Sequence, residues 1–244
     1  MGVADPDSAF KYRTAMDEWY PGRITSTERE AAGLQSIRVD VSGTPLVGSH
    51  SLPGQYVRVR IDRGEGTFAI ASGPEKDGAT FELLVKSGSD VADFLALAPI
   101  GTQVELTAPE GPGFPLSEAY GKRVLLFATG SAIGAIRSLI QAIRHERRNF
   151  RSVTLYFGAR TPDAFAYESE LEEWREAGID VVRTVSQAGA PGWRGLTGYV
   201  HTHLPKAELA DAVAFVCGQP EMVDDVRSAL AERGIPEDQI FQNV

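Results

Sequence analysis

The stretch Val124–Ile140 runs from an apolar strand through Thr129-Gly130-Ser131-Ala132-Ile133-Gly134-Ala135 into an amphipathic helix. Glycine lets a backbone turn tightly and approach a ligand, as Gly130 and Gly134 would here, and the free N–H groups opening the following helix favour a diphosphate. Ala132 and Ala135 leave the loop short of a full G-x-G-x-x-G fingerprint, so on its own the segment reads equally as a plain strand-to-helix turn. A second strand, loop and helix, Val213–Met222, carries the only cysteine, Cys217, at the strand's C-terminal end. Open parallel sheets bind ligands at that edge. A lone cysteine is by default a small core residue, and it is the position of Cys217 that makes it a candidate.

Other chemistry-bearing residues are less organised. His201-x-His203 has no carboxylate or cysteine partner nearby in sequence and reads as surface histidines, while His50 and His145 belong to no constellation. No metal site is expected. One cysteine excludes an internal disulfide, a cysteine-ligated iron–sulfur cluster within the chain and a four-cysteine zinc site. The acidic run Glu168–Trp174 reads as the solvated face of a helix with Leu171 and Trp174 turned inward, and Trp193 either shapes a ligand site or anchors a loop.

The elements that must position these residues fall into two kinds. Residues 35–41, 56–61, 81–86 and 102–107 alternate apolar and polar at period two, and Gly and Pro separate them, which suits a small antiparallel β-barrel. From Gly121 onward, strands at 124–128, 152–157, 180–185 and 213–216 alternate with helical segments, as a Rossmann-like parallel α/β sheet requires. In the first of those helices Ile133, Ile136, Leu139, Ile140 and Ile143 share one face, and Arg144, Arg147 and Arg148 sit toward its negative end. The expected organisation is an N-terminal extension at 1–19, a barrel domain at 20–118 and an α/β domain at 119–244.

With 244 residues and a formal net charge of -9, the chain has room for two full cores and is a poor partner for nucleic acid or anionic membranes. No apolar run approaches the roughly 20 residues that span a bilayer, and the acidic Met1–Phe10 stretch lacks signal-peptide character. Pro6 stands where a myristoylation signal needs Ser or Thr. A cytoplasmic location is expected.

The loop at Thr129–Ala135, the strand end Phe157-Gly158-Ala159-Arg160 followed by Thr161-Pro162-Asp163, and Cys217-Gly218 with Met222 together resemble the ferredoxin-NADP reductase superfamily. Within it, Phe127-Ala-Thr-Gly-Ser, Ser186-Gln187, Trp193-Arg-Gly195 and Gly198-Tyr-Val200 are similar to the plant fruit-protein-type branch. The resemblance implies that the barrel binds FAD and the α/β domain binds NAD(P). It further implies that Gly130, Ser131 and Ala132 meet the dinucleotide diphosphate, that Arg160 lies at the same site, and that Cys217, Gly218 and Met222 form the nicotinamide pocket. Cys217 is then the catalytic-site residue that positions the ring for hydride transfer.

Departures from the family fall on the flavin side. Where relatives carry Arg-x-Tyr-Ser, this chain has Gly66-Thr67-Phe68-Ala69 ahead of Ile70-Ala71-Ser72, and Ala92 stands in the place of a diphosphate-binding serine. Phe68, Ala69, Ile70 and Ser72 remain the flavin candidates. Ser89 is another, or else it is a plain helix cap, as is Asp90. Arg58 and Arg60 are the nearest cations and read as a solvated face. On the dinucleotide side Ser186-Gln187 replaces the Ser-Arg pair that grips a 2′-phosphate, so NADH is expected over NADPH unless Arg183 or Arg194 restores the grip. The expected activity is a flavin-dependent NAD(P)H oxidoreductase passing electrons to an unidentified acceptor, either a protein or free flavin. The alternative is a non-catalytic nucleotide-binding or interaction module that has lost tight flavin binding.

Overall fold

A computed structural model describes residues 18–187 and 192–243; the expected extension at 1–19 therefore lies largely outside the described residues. Six antiparallel strands come first: β1 (Tyr20–Ala31), β2 (Leu34–Asp40), β3 (Tyr56–Ile61), β4 (Gly64–Ala69), β5 (Thr80–Lys86) and β6 (Gln103–Leu106). They are ordered β4-β3-β6-β1-β2-β5, and a bridge between Ile70 and Leu83 joins the two edges into a barrel. Helix α1 (Asp90–Leu97) packs Val91, Ala92 and Leu95 against its interior.

The sequence pattern locates four of these strands and misses β1 and β4. Strand β1 is polar along most of its length, with Gly22, Ile24 and Ala31 its buried positions, and it is held by hairpin pairing to β2 across the left-handed Gly33. Two glycines in β4 dilute its alternation.

A parallel sheet follows, built from β7 (Arg123–Thr129), β8 (Ser152–Ala159), β9 (Ile179–Val185), β10 (Leu196–Thr197), β11 (Ala212–Cys217) and β12 (Ile240–Gln242) in the order β10-β9-β8-β7-β11-β12. Helices α2 (Ile133–His145) and α3 (Leu171–Glu176) pack in the core on one face, and α4 (Pro220–Ala231) packs on the other. Each fully buried Ile or Leu of α2 contributes about 1.5–3 kcal/mol of transfer free energy. Arg123 and Arg151 both reach Asp211, and these ion pairs hold its carboxyl below the usual range.

The two halves share one apolar cluster, in which Ala71, Leu84 and Phe114 join the α2 side of the sheet. Gly134 lies at this seam. A Cβ there would come 3.1 Å from the Leu84 Cβ, so this glycine admits the barrel wall, correcting the expectation that it admits a ligand. Buried Arg137 crosses the same seam, donating to the Ala71 carbonyl at 2.9 Å and pairing with Glu82 at 3.0 Å and Glu170 at 2.7 Å. Its guanidinium also lies over the Tyr167 ring at 4.5 Å. Desolvation opposes the charge, but Glu170 and Glu82 outweigh it and hold Arg137 protonated.

Candidate functional site

Strands β8 and β9 lie on one side of β7, and β11 and β12 lie on the other. The connections therefore reverse direction between β7 and β11, and an open parallel sheet forms its ligand crevice at such a point. Thr129-Gly130 and Cys217-Gly218 end those two strands side by side, with Cys217 paired to Ala128.

Gly130 adopts φ +55°, and no atom lies within 4 Å of where its Cβ would be, so the loop turns left-handed beneath open space. Ser131 and Ala132 form the short 3-10 turn that leads into α2, and no side chain caps either that turn or the helix. The N–H groups at this end are therefore not taken by a capping side chain of the chain itself.

At β11, burial desolvates the Cys217 thiol and, against a smaller lowering by the Asn243 side chain, pushes its pKa up to about 11. The thiol stays protonated near neutrality, which excludes a standing nucleophile. The Asn243 amide donates to the Gly54 carbonyl of the barrel at 2.6 Å, while its Oδ1 is buried without a partner. Across β11 the Thr129 hydroxyl is likewise buried and unpartnered, 2.7 Å from where a Gly218 Cβ would stand. The Met222 methyl lies only 2.0 Å from that same position. The space beside Gly218 is thus filled by the far end of the flexible Met222 side chain. Buried polar atoms without partners are costly, and among the seven in the described residues these two stand at the strand ends on either side of β11.

Arg160, Ser186 and Gln187 are brought together at the exposed ends of β8 and β9, where the Gln187 N–H bonds the Arg160 carbonyl and the Ser186 N–H bonds Ala159. Neighbouring strands are roughly 5 Å apart. These residues therefore stand two to three strands from Cys217. Arg183 is committed to Glu168 and lies over the Phe165 and Trp193 rings. Trp193 stacks on Phe165 and donates to Leu196, as a loop anchor does. His201 faces Asp225 at 3.6 Å, and His203 bonds the Thr197 carbonyl.

The barrel candidates are spent differently. Phe68 and Gly66 pair with Val57 and Val59 and face the barrel interior with them. The Phe68 ring is 9% exposed and lies 3.0 Å from where a Gly66 Cβ would be, with the Val91 Cβ at 3.4 Å. Ile70 is fully buried, with its N–H on the Gln55 carbonyl, and Ala69 is half-buried. The Ser72 hydroxyl accepts from the Glu82 N–H, and the Ser89 hydroxyl caps α1 by accepting from the Ala92 N–H. Arg58 pairs with Glu110 and Glu65, Arg60 pairs with Glu105, and both lie over Trp19.

Sequence reasoning missed Asn243, the unpartnered Thr129 hydroxyl and the Arg137 cluster. Thr129 stands inside the loop already singled out; nothing marks Asn243. A separate cavity of about 460 Å³ lies along the seam, lined in part by His50, Ser72, Gln141 and Arg38. Burial pushes His50 down to about 4, so it is neutral there.

Residues 126–228 match the oxidoreductase NAD-binding domain family. The chain is 31% identical over 256 residues to fruit protein pKIWI502 of Actinidia deliciosa, an alignment covering 96% of this chain and 79% of that protein. It is 27% identical over 219 residues to the electron transfer subunit of dihydroorotate dehydrogenase B (NAD(+)) of Shouchella clausii, with 87% and 79% covered. Its fold is similar to that of a ferredoxin NADP+ reductase from Neisseria gonorrhoeae with bound FAD and NADP, at a TM-score of 0.75 and 19% identity over 92% of this chain and 97% of that one.

Proposed function

The chain belongs to the ferredoxin-reductase-type flavin/NAD oxidoreductases, and from that membership we propose that it oxidises NAD(P)H at the crevice between β7 and β11. The observation that carries the reading is the pair of buried, unpartnered oxygens on Thr129 and Asn243, which flank Cys217-Gly218. A hydroxyl donor and an amide acceptor complement the two ends of a primary carboxamide, the group that nicotinamide presents. Gly130, Ser131 and Ala132 receive the diphosphate through backbone N–H groups, and Arg160, Ser186 and Gln187 lie at the adenosine end. Residues 20–118 and 119–244 serve as the flavin and dinucleotide domains.

Cys217 positions the ring. Its thiol is held neutral by burial, and a small shift of a ring in a transfer geometry costs rate far more than affinity. A flavin against the barrel would supply the hydride-accepting chemistry. The protein's own task is to seat the nicotinamide, displace the Met222 methyl and keep water from the contact. With Arg183 already paired to Glu168 and Gln187 uncharged, NADH is the preferred donor. The acceptor is a separate protein, a reading supported by the name of the Shouchella relative, itself an electron transfer subunit.

The test is stopped-flow mixing of the flavin-supplemented protein with NADH and with NADPH, following loss of flavin absorbance. Saturable reduction that is faster with NADH is expected. Nucleotide binding without any reduction would instead favour the non-catalytic module.

A further inference from the structure

Met222 stands in the first turn of α4, just past Gly218, and its methyl occupies the space where a Gly218 Cβ would be, with its sulfur 3.6 Å from that position. The Thr129 hydroxyl lies 2.7 Å from the same position and is buried there without a partner. A thioether methyl offers a hydroxyl no hydrogen bond, so this closure leaves Thr129 covered but unsatisfied. The backbone on both sides is firmly placed: Val223, Val226 and Leu230 hold α4 against the core, and Cys217 is paired to Ala128 on β7. Met222 itself is only half-buried, and its unbranched side chain turns about three bonds, so its end can leave without moving the helix. Gly218 has no side chain with which to refill the space.

We propose that Met222 is a gate: in the free protein its methyl stands where a nicotinamide ring would lie over Gly218, and only a ring that displaces it brings a hydrogen-bonding group to Thr129. The proposal rests on the reading above that a nicotinamide works at the β7–β11 crevice, and it adds the residue that sets how readily that crevice opens. A site that is competent in only a fraction of the molecules binds with an affinity reduced by that fraction. Only the nicotinamide end of the dinucleotide meets the gate. The diphosphate and adenosine ends, assigned to Gly130–Ala132 and to Arg160, Ser186 and Gln187, do not, so ADP-ribose, which keeps those ends and lacks the ring, is the control.

The experiment is calorimetric titration of the full-length chain with ADP-ribose and with NAD+, the oxidised nucleotide being chosen because it has no hydride to give. Met222→Ala removes the gate and should tighten NAD+ binding about fivefold while moving ADP-ribose by less than about twofold. Met222→Gln keeps the length of the side chain and gives the Thr129 hydroxyl an amide partner, so the gate is held shut and NAD+ should weaken about fivefold, again with ADP-ribose unmoved. Equal shifts for the two ligands, or an NAD+ affinity that Met222→Ala leaves unchanged or lowers, would overturn the gate and make Met222 a packing residue, with the crevice reading intact. Failure of the unmodified chain to bind either ligand would sink the crevice reading and the gate with it. Should Met222→Ala not fold, Met222→Gln decides, and an NAD+ affinity unchanged or raised in that variant counts against the gate.

Discussion

The β7–β11 edge and the opening of α1 are both strand-to-helix junctions rich in glycine and serine, yet the chain treats their polar groups in opposite ways. At α1, Ser89 and Asp93 are turned onto the chain's own N–H groups. At the β7–β11 edge, α2 begins with no side-chain cap, and the Thr129 and Asn243 oxygens are left buried without partners. Satisfied groups stabilise a fold, whereas unsatisfied buried ones cost about 1–3 kcal/mol each and persist where a ligand repays them. Two junctions that look alike in sequence thus differ in how their polar groups are satisfied, which is why the binding role is proposed for the β7–β11 edge and not for α1.

The sharpest way to break that division is at Cys217. Cys217→Ser and Cys217→Ala should each keep dinucleotide affinity nearly unchanged while slowing single-turnover flavin reduction by on the order of 100-fold, because transfer depends on ring placement. Unchanged rates in both variants would make Cys217 a packing residue and the edge no more functional than α1.

A paired substitution comes next in size. Thr129→Val should raise stability in urea by about 1 kcal/mol, by removing a buried hydroxyl with no partner, and weaken NADH binding about tenfold. Ser89→Ala should do the reverse, lowering stability by about 1 kcal/mol through loss of the cap without moving any flavin affinity. Were both to behave as simple losses of stability, the contrast between the junctions would vanish.

How much of this contrast was legible beforehand depends on the residue. Strand β5 and the four longer strands of the parallel sheet announce themselves by apolar pattern, and Gly130 and Cys217 by their places at strand ends. The interior orientation of Phe68 was not legible, because it follows from the register of β4 against Val57 and Val59, and β4 carries too little alternation to fix that register. Nor could sequence show that Arg137, inside a run of isoleucines, meets acceptors from positions 71, 82 and 170, which only the tertiary fold gathers. Asn243 is in the same class. Its importance lies in reaching Gly54, far away along the chain.

Smaller effects refine the picture at the adenosine end. Gln187→Arg adds a cation to an exposed strand end and should shift preference toward NADPH by about fivefold, a modest gain because solvent screens the charge; calorimetry with both nucleotides measures it. The smallest expected effect is that of pH. Because the folded Cys217 pKa is raised from 9.0 to about 11, the thiol is neutral in both folded and unfolded chains below pH 9, and the reduction rate should show no titration of this group from pH 6 to 9. Above pH 9 the unfolded chain ionises first, so the stability contributed by the buried thiol is lost as pH rises toward 11, which urea titrations at pH 8 and 10 would detect.

Arg137 carries one last consequence. Parting the barrel from the sheet would strip this guanidinium of the Glu82 carboxylate and the Ala71 carbonyl and leave it Glu170 on its own side. The seam is thus fastened by a directional charge cluster as well as by apolar packing, and any opening between the two halves must first hydrate Arg137 and Glu82.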